Sequence, residues 1–598
     1  MGTDIEQLME RRTWRAFDVD DAGRVLAGWD ETGSVQLVEL GQDGTVTRLT
    51  DLPGKCSGHY LPGERAVLVA HDDGGNERTQ LSLLRLDPLP ERPATLADLE
   101  PLVHDPNFIH SPIQVLPDRV VYLTNRRNRV DFDVVVREVS TGVERVLFAR
   151  GGMVMDGTLS QDGERLAIRM PAVPPHSDQV LVVADGDVRE LTDENQHAKN
   201  THPNWLPDGS LVVTSNRGRD LTGIARHHEG EWSWLVTDDE FDLIGYPSPD
   251  GRLLLVLAND DGAARLALHD ATTGARLRSV PLPEDGWVRY PLPEPVWSPD
   301  SRFAVLTFSG PTTPGDVLLV EADTGATRAL TDSSAAFADA LVTPSHHRVP
   351  TPDGELVPCL VYRPTSTVDG VAGSAVLVLH GGPESQSTLM FNAIVQGLVA
   401  AGHAVLVPNV RGSTGYGKRW YSADDVRRRL DAVADLAALH DWLPSLGLDP
   451  SRAALWGGSY GGYLVLAGLA FQPERWAAGV DIVGISSLVS FLENTSPYRR
   501  AIREREYGSL ERDREFLHSA SPLNRVDQIR APLFVIHGAN DSRVPLSEAE
   551  QVAEALHEHG VECELLVYGD EGHGLAKRTN RLDAYPKAAA FVARVLTR

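Results

Sequence analysis

The sequence predicts two domains: a β-propeller of seven blades, followed by a doubly wound, mostly parallel α/β sheet. Two observations indicate this fold class. A turn followed by an apolar strand recurs seven times in the first half of the chain, and strand-like and helix-like segments alternate in the second half. A chain of 598 residues is long enough for two domains that each bury a core.

The repeats in the first half have the spacing of propeller blades. Successive copies lie roughly 40 to 55 residues apart, a period that is typical of blades built from four strands. A β-sandwich with regular turns is the alternative, but seven copies in one continuous stretch favour the propeller. The copies read DDAGRVLAGW from Asp20, YLPGERAVLVA from Tyr60, VLPDRVVYLT from Val115, LSQDGERLAI from Leu159, WLPDGSLVVTS from Trp205, YPSPDGRLLLVL from Tyr246 and VWSPDSRFAVLTF from Val296.

The second half alternates between apolar strands and amphipathic helices. Such alternation favours a parallel sheet that is covered by helices on both faces. We therefore expect the propeller to span residues 16–340 and the α/β domain to span residues 341–598. Strands are predicted near residues 357, 375, 404, 453, 479, 532 and 564, and helices over 423–445 and 583–597.

The pentapeptide GGSYG, from Gly457 to Gly461, is the most informative motif in the chain. An apolar run precedes it, and small and aliphatic residues at helical spacing follow it, which indicates a strand, a sharp turn and a helix. In this context G-x-S-x-G is typical of the nucleophile elbow of α/β-hydrolases. Ser459 is therefore the candidate nucleophile. The alternative is a glycine-rich turn with an incidental serine.

A nucleophilic serine needs a base and an acidic partner, and in this fold the acid precedes the histidine in the sequence. A predicted strand over 533–536 ends in a loop with Asp541, and another over 564–568 ends in a loop with His573. His573 is the candidate general base, and Asp541 is the candidate residue that orients it. Asp570 is the alternative acid, but it lies too close to His573 in the sequence.

The candidate oxyanion hole follows another apolar strand, SAVLVL, which ends in the sequence HGGP at 380–383. In α/β-hydrolases a backbone N–H of this loop and the N–H of the residue after the nucleophile bind the oxyanion. Gly382 and Tyr460 are therefore the candidates, with Gly381 as the alternative to Gly382.

Composition argues against several classes of partner. The formal net charge of −28 disfavours nucleic acid and anionic membranes. Three widely spaced cysteines offer no disulfide framework or metal cluster. Chemistry by a serine nucleophile and a histidine base needs no metal or cofactor, so none is expected. The sequence shows no signal peptide and no apolar run of membrane length, so a cytoplasmic location is expected. It does not indicate an oligomeric state.

The motifs together resemble the prolyl oligopeptidase family of serine peptidases, most closely its acylaminoacyl-peptidase and bacterial aminopeptidase branch. This resemblance is carried by HGGP, NVRGSTGYG, GGSYGGY, HGANDSRVP and GDEGHG. It implies a seven-bladed propeller joined to an α/β-hydrolase domain, with the triad and oxyanion residues at the positions already named. It also implies that residues 1–15 form a segment that packs on the hydrolase domain.

The resemblance extends to substrate binding. Arg543, in NDSRVP, matches an arginine that binds a substrate carbonyl on the N-terminal side of the cut in relatives. Val544 is a further candidate for the substrate pocket, on topology alone. Glu77 lies in DDGGNERTQ, a segment that resembles one common in bacterial relatives. A blade-turn role is predicted for Glu77, with contact to a substrate ammonium as the alternative.

These features predict a serine exopeptidase that hydrolyses the amide after the N-terminal residue, free or acylated, of short peptides or aminoacyl amides through an acyl-enzyme. One alternative is a post-proline oligopeptidase or a dipeptidyl peptidase, although the double-glutamate helix of dipeptidyl peptidases is not evident. Another is an esterase or amidase that acts on a small metabolite or a peptidyl antibiotic, because one triad serves esters and amides. The complete triad argues against a propeller scaffold with an inactive hydrolase domain.

Overall fold

Residues 4–334, 340–366, 368 and 370–597 are described by the computed structural model. A short helix, α1 (Ile5–Met9), precedes seven four-stranded antiparallel sheets, each built from four consecutive strands. They form the predicted seven-bladed propeller. Its strands are β1 (Trp14–Val19), β2 (Val25–Trp29), β3 (Gln36–Leu40), β4 (Val46–Arg48), β5 (Cys56–Tyr60), β6 (Ala66–His71), β7 (Gln80–Arg85), β8 (Glu100–Val103), β9 (His110–Val115), β10 (Arg119–Thr124), β11 (Asp133–Glu138), β12 (Glu144–Phe148), β13 (Asp156–Leu159), β14 (Arg165–Pro171), β15 (Asp178–Ala184), β16 (Asp187–Glu190), β17 (Asn200–Trp205), β18 (Leu211–Ser215), β19 (Gly223–His228), β20 (Glu231–Val236), β21 (Asp242–Pro247), β22 (Leu253–Asp260), β23 (Ala263–Asp270), β24 (Arg276–Val280), β25 (Val296–Trp297), β26 (Phe303–Gly310), β27 (Thr313–Glu321) and β28 (Thr327–Ala329).

The sequence repeat marks the same place in every blade. Each copy covers the turn between the first and second strands and then the second strand itself. In β26, for example, all residues but the first are buried. A strand with neighbours at both edges and packing on both faces has no solvent side, so it is a continuous apolar run in the sequence. The repeat can be recognised in the sequence for this reason.

The first and last blades meet through side chains and belong to separate sheets. The Ala16 N–H donates a hydrogen bond to Thr307 Oγ1 over 2.8 Å. Apolar residues of β1, β2 and β3 pack against those of β26 and β27 in one buried cluster. Packing between these blades therefore closes the ring.

The second domain is built on an eight-stranded sheet with the order β29-β30-β32-β31-β33-β34-β35-β36. The first two strands pair antiparallel to their neighbours, and the strands from β32 onward pair in parallel. Two large apolar clusters cover its two faces. The strands are β29 (Ser345–Pro350), β30 (Leu356–Tyr362), β31 (Ala375–Leu379), β32 (Ala404–Pro408), β33 (Ala453–Gly458), β34 (Ala478–Ile482), β35 (Leu533–Gly538) and β36 (Cys563–Tyr568), and the helices are α2 (Ala393–Ala400), α3 (Gly417–Tyr421), α4 (Arg429–Trp442), α5 (Tyr460–Phe471), α6 (Leu488–Asn494), α7 (Pro497–Tyr507), α8 (Arg514–Ser519), α9 (Ser547–Glu558) and α10 (Arg578–Leu596).

Three elements differ from the sequence prediction. Strand β29 was not predicted, because this edge strand is polar and mostly exposed. The helix predicted over 423–445 is shorter. A 3₁₀ turn over Val426–Arg428, in which Val426 has φ of 49°, precedes α4, and a 3₁₀ turn with Pro444 follows it. The terminal helix α10 begins earlier than residue 583, and the Arg578 N–H at its start donates to the propeller.

Helix α1 contacts α2 and α10 of the second domain, and its residues Ile5, Leu8 and Met9 are buried. Residues 1–3 of the predicted N-terminal segment lie outside the described residues. The last propeller strand ends at Ala329 and β29 begins at Ser345, so the division expected at residue 340 lies between them and stays a prediction. Among the helices that the structure describes, none has both the length and the hydropathy required to cross a membrane.

Candidate active site

Ser459 lies in a sharp turn between β33 and α5, with φ of 57° and ψ of −117°. This backbone conformation is strained for a residue with a side chain. Close packing explains the two outer glycines of the motif: a Cβ on Gly457 would overlap the carbonyl of Gly461, and a Cβ on Gly461 would overlap the carbonyl of Leu379. The Ser459 N–H donates to the Ile482 carbonyl over 2.8 Å. The geometry is that of a nucleophile elbow.

The structure brings Ser459, His573 and Asp541 into one chain of contacts. His573 Nε2 lies 3.0 Å from Ser459 Oγ, and His573 Nδ1 lies 2.7 Å from Asp541 Oδ2. The three residues follow β33, β35 and β36, whose carboxyl ends meet at one edge because these strands are parallel. The imidazole can therefore accept a proton at Nε2 while its Nδ1–H donates to the carboxylate.

Asp541 is held in place by backbone groups of its own loop. Its side chain is fully buried, and Oδ1 accepts hydrogen bonds from the N–H groups of Arg543 and Val544 over 2.8 and 3.0 Å. The Val544 side chain is 2% exposed and packs in the apolar core. Val544 thus contacts the site through its backbone.

Asp570, the alternative acid, lies in a different environment. Its side chain is 54% exposed, and its Oδ2 lies 2.6 Å from Lys577 Nζ. The ion pair lowers the pKa of this carboxyl. Asp541 is therefore the acid in hydrogen-bond contact with His573.

Tyr460 and Gly381, the alternative to Gly382, lie beside Ser459. Tyr460 is the first residue of α5, so its N–H has no acceptor within the helix. Gly381 approaches from the other side, where an added Cβ would come within 3.3 Å of the Ser459 Cβ. Gly382 has φ of 134°, a conformation that favours glycine. The oxyanion role of Gly382 and Tyr460 stays a prediction.

The propeller contacts the site through Glu77, and we call this the Glu77 contact. Arg543 Nε donates to both carboxylate oxygens of Glu77 over 2.8 and 2.9 Å, and Ser542 Oγ donates over 3.0 Å. Burial alone would raise the pKa of Glu77, but the Arg543 guanidinium outweighs it and lowers the pKa. Glu77 has the positive φ of a turn residue, and its side chain also reaches the site.

The same propeller loop lies directly on the loop that carries His573. A Cβ on Gly572 would overlap the carbonyl of Gly75, and a Cβ on Gly538 would overlap the carbonyl of Gly572. Glycine at these positions lets three backbone segments stack without a side chain between them. The propeller therefore closes the site on the side of Arg543.

A second contact with the propeller, the His176 contact, lies on the oxyanion side. His176 Nδ1 lies 3.0 Å from Glu384 Oε2, and His176 Nε2 lies 2.7 Å from Asp425 Oδ1. Lys199 Nζ lies 2.5 Å from Glu384 Oε1. Burial would lower the pKa of His176, but the two carboxylates raise it to about 10. Glu384 comes two residues after Gly382, so these ion pairs connect the candidate oxyanion loop to the propeller.

A cavity of about 430 Å³ lies between the domains. Its lining includes Glu384 and Ser385 but not Ser459, His573 or Arg543, so the cavity adjoins the oxyanion side of the site. The propeller contributes charged groups such as Arg169, Arg289 and Glu294 to its wall, and the hydrolase domain contributes Glu384 and Arg503.

One group of side chains has the spacing of metal ligands. Donor atoms of His176, Asp424 and Asp425 lie within 4.8 Å of one another. Asp424, however, pairs with the buried guanidinium of Arg429, and His176 lies between two carboxylates as a cation. Ion pairs therefore already balance the charge of this group.

Sequence reasoning missed four charged residues near the site. His176 and Lys199 lie in propeller loops without a motif. Glu384 follows HGGP directly, and its position beside the oxyanion loop was a usable signal. Arg503 belongs to the basic run YRRAIRERE, in which Arg499 and Arg503 share a helical spacing of four.

Comparison with known proteins agrees with this architecture. Dipeptidyl aminopeptidase BIII of Pseudoxanthomonas mexicana is 36% identical over 227 residues, which are 37% of this chain and 33% of that protein. An acylamino-acid-releasing enzyme of Arabidopsis thaliana is 28% identical over 235 residues, which are 38% of this chain and 31% of that protein. The chain thus aligns with about a third of the length of these curated relatives.

A solved puromycin-hydrolyzing peptidase of Mycobacterium tuberculosis superposes with a TM-score of 0.86 at 22% identity, covering 99% of this chain and 96% of that one. At this identity the likeness shows the fold, a propeller joined to a hydrolase domain. Residues 389–598 match the model of the prolyl oligopeptidase family. These residues, about a third of the chain, are thus similar to the prolyl oligopeptidase family, a family of serine hydrolases.

Proposed function

We propose that this protein is a serine exopeptidase that releases an acylated N-terminal residue from short peptides through a covalent acyl-enzyme. The observation that carries the proposal is the hydrogen-bond chain from Ser459 Oγ through His573 to Asp541. It supplies a nucleophile, a base and a group that orients the base.

The reaction proceeds in two steps at this site. Ser459 Oγ attacks the substrate carbonyl while His573 Nε2 takes the serine proton. The N–H groups of Tyr460 and Gly382 bind the oxyanion, and His573 then gives the proton to the leaving amine. A water molecule, activated by His573, hydrolyses the acyl-enzyme and restores the serine. Asp541 stabilises the imidazolium in both steps.

The exopeptidase mode is supported by the closed side of the site. The propeller loop with Gly75 and Glu77 lies against the His573 loop, and Arg543 is bound to Glu77. An acyl group directed toward Arg543 therefore has space for only a short segment. Nη1 of Arg543 makes no recorded hydrogen bond within the described residues, and in the proposal it donates to a substrate carbonyl.

An acylated N-terminus is favoured over a free one because of the charges. Both oxygens of Glu77 accept from Arg543, and Ser542 donates to one of them. A substrate ammonium would have to compete with this guanidinium for the same carboxylate. An uncharged, acylated end meets no such competition.

The second candidate is an aminopeptidase or dipeptidyl peptidase that binds a free N-terminal amine at Glu77. It is favoured by the position of this carboxylate at the closed end of the site and by the 36% identity to an enzyme called dipeptidyl aminopeptidase. In that case the amine would replace part of the Arg543 contact.

The test is hydrolysis of p-nitroanilides of acetyl-Ala, Ala, Gly-Pro and blocked Gly-Pro, with Ser459→Ala as the control. We expect acetyl-Ala to be cleaved with the highest kcat/KM and the control to be inactive. Faster cleavage of Ala or of unblocked Gly-Pro would establish the second candidate instead. Full activity of the Ser459→Ala protein would remove the triad from the mechanism.

A further inference from the structure

Helix α7 spans the candidate site from the Asp541 loop to the oxyanion loop. Just before its start, the Ser496 hydroxyl donates to the Ser542 carbonyl over 2.6 Å. Near its end, Arg503 Nη1 donates to the Gly382 carbonyl over 3.4 Å and to Glu506 Oε2 over 2.6 Å. One face of α7 therefore borders the space above the nucleophile.

Arg499 lies on this face. It precedes Arg503 by four residues, and side chains with this spacing are neighbours on one side of a helix. Arg503 reaches Gly382, so Arg499 is one turn closer to the loop of Arg543. The charges of Arg503, Arg543 and Glu77 all act on its guanidinium, so it lies near the acyl side of the site.

Arg499 differs from the neighbouring arginines in its partners. Arg543 pairs with Glu77, and Arg503 pairs with Glu506. Within the described residues, the Arg499 guanidinium has no recorded hydrogen bond or ion pair. The charges of these three guanidinium groups and of the two carboxylates sum to one positive charge.

The environment of Arg499 disfavours the charged form of its guanidinium. Burial lowers the pKa of Arg499, and the nearby guanidinium groups of Arg503 and Arg543 lower it further. A guanidinium remains charged at neutral pH in any protein environment. The Glu77 carboxylate acts in the opposite direction on the pKa of Arg499, but both of its oxygens already accept from Arg543. A partly buried cation that shares its counter-ion with a second guanidinium is costly, and an anionic ligand would lower that cost.

We propose that Arg499 is an anion-binding residue of the acyl-side subsite, which selects substrates with a carboxylate on the N-terminal side of the scissile bond. The carboxylate would be an acidic side chain or the free end of a dicarboxylic acyl group, and the planar guanidinium would bind it through two parallel hydrogen bonds. This inference rests on the proposed function, because that function places the acyl group on the side of Arg543.

The test compares two substrates that differ only in a terminal carboxylate: N-succinyl-Ala p-nitroanilide and N-butyryl-Ala p-nitroanilide. We expect the wild type to favour the succinyl substrate about tenfold in kcat/KM, the range of a charge-assisted pair in a partly buried site. Arg499→Gln should bring the succinyl-to-butyryl ratio to about one, and Arg499→Lys should keep part of it.

Arg500→Gln is the matched control, because Arg500 is the adjacent residue of α7 and donates to the Glu493 carbonyl instead. This variant should keep the wild-type ratio. A wild-type ratio of one, or a ratio that survives in Arg499→Gln, would overturn the inference.

A binding measurement separates this inference from the proposed function. Titration calorimetry with N-succinyl-alaninamide and N-butyryl-alaninamide, on Ser459→Ala with and without Arg499→Gln, reports the subsite without catalysis. Tighter binding of the succinyl compound that depends on Arg499 would support the subsite even if no anilide is cleaved. Equal binding of both compounds would overturn it even if both anilides are good substrates.

Discussion

The two domains contribute to the candidate site in different ways. The hydrolase domain supplies Ser459, Asp541 and His573 from loops after parallel strands, and hydrogen bonds join them. The propeller supplies charged side chains, and ion pairs join Glu77 and His176 to the hydrolase domain. The first set is complete within one domain, whereas the second exists only where the domains meet.

Catalysis and substrate selection are therefore expected to depend on different domains. Chemistry should depend on the hydrolase residues, because bond cleavage needs the proton relay at fixed distances. Access, loop position and substrate choice should depend on the propeller contacts. Variants of the hydrolase residues and variants of the propeller contacts should therefore differ in the size of their effect on activity. They should also differ in whether kcat or KM changes.

The largest effect is expected on the hydrolase side, for Asp541→Asn. The amide would favour the wrong imidazole tautomer, so kcat should fall about 10⁴-fold with little change in KM. Steady-state kinetics with the best anilide of the panel measures this. Asp570→Asn, in the exposed ion pair with Lys577, is the matched control and should keep activity; equal losses in both variants would contradict the assignment.

The next effect concerns stability in the same domain. Asp481, in β34, is 1% exposed, and burial raises its pKa to about 7. Between about pH 4, the usual value for Asp, and pH 7, the unfolded chain ionises while the folded protein keeps the proton, so stability falls as the pH rises. Asp481→Asn should remove this fall, gaining a few kcal/mol at pH 8, since each unit of pKa shift is worth about 1.4 kcal/mol.

Denaturant unfolding at pH 5 and pH 8 measures this gain. Asp527→Asn, at an exposed position of the same domain, is the control and should follow the wild type at both values. If Asp481→Asn loses stability with pH as the wild type does, the carboxyl is already ionised in the folded protein.

A smaller effect is expected at the His176 contact. His176→Gln would remove the cation between Glu384 and Asp425, and the repulsion of the two carboxylates would displace the loop of Gly382. We expect kcat to fall about tenfold, less than the roughly 10²- to 10³-fold loss when an oxyanion donor is removed outright, with the fold retained. His228→Gln, at an exposed propeller histidine, should leave kcat unchanged. An unchanged kcat in His176→Gln would show that the contact does not position the loop.

The smallest effect is expected at the Glu77 contact. Glu77→Gln would break a partly exposed ion pair, which is worth about 1 kcal/mol or less, and would add a second unpaired guanidinium beside Arg499. KM for acetyl-Ala p-nitroanilide should change a few-fold, and the preference for succinyl over butyryl substrates should increase. Glu64→Gln, in the exposed pair with Arg85, is the control.

The Glu77→Gln variant also distinguishes the two candidate functions. If Glu77 binds a free amine, Glu77→Gln should abolish cleavage of Ala p-nitroanilide while it spares the acetylated substrate. Loss of activity on both substrates would instead assign Glu77 a role in holding Arg543.

Much of the fold was predictable because its signals are local. Each propeller repeat is a turn followed by a buried strand, and the elbow around Ser459 requires glycine at Gly457 and Gly461 for steric reasons. The edge strand β29 and the start of α4 were missed. The position of β29 depends on pairing with β30, and the start of α4 depends on the left-handed backbone of Val426; no local sequence pattern indicates either.

By itself, the sequence determined the two-domain architecture and brought Ser459, Asp541 and His573 forward as a triad. The residues that define each strand, turn and catalytic motif lie within a few positions of one another in the sequence. These features can therefore be predicted from the sequence. The contacts of Glu77, His176 and Arg499 became apparent in the folded protein alone. The Glu77–Arg543 contact joins residues 466 positions apart, and such a contact exists only because folding places the propeller loop against the hydrolase domain.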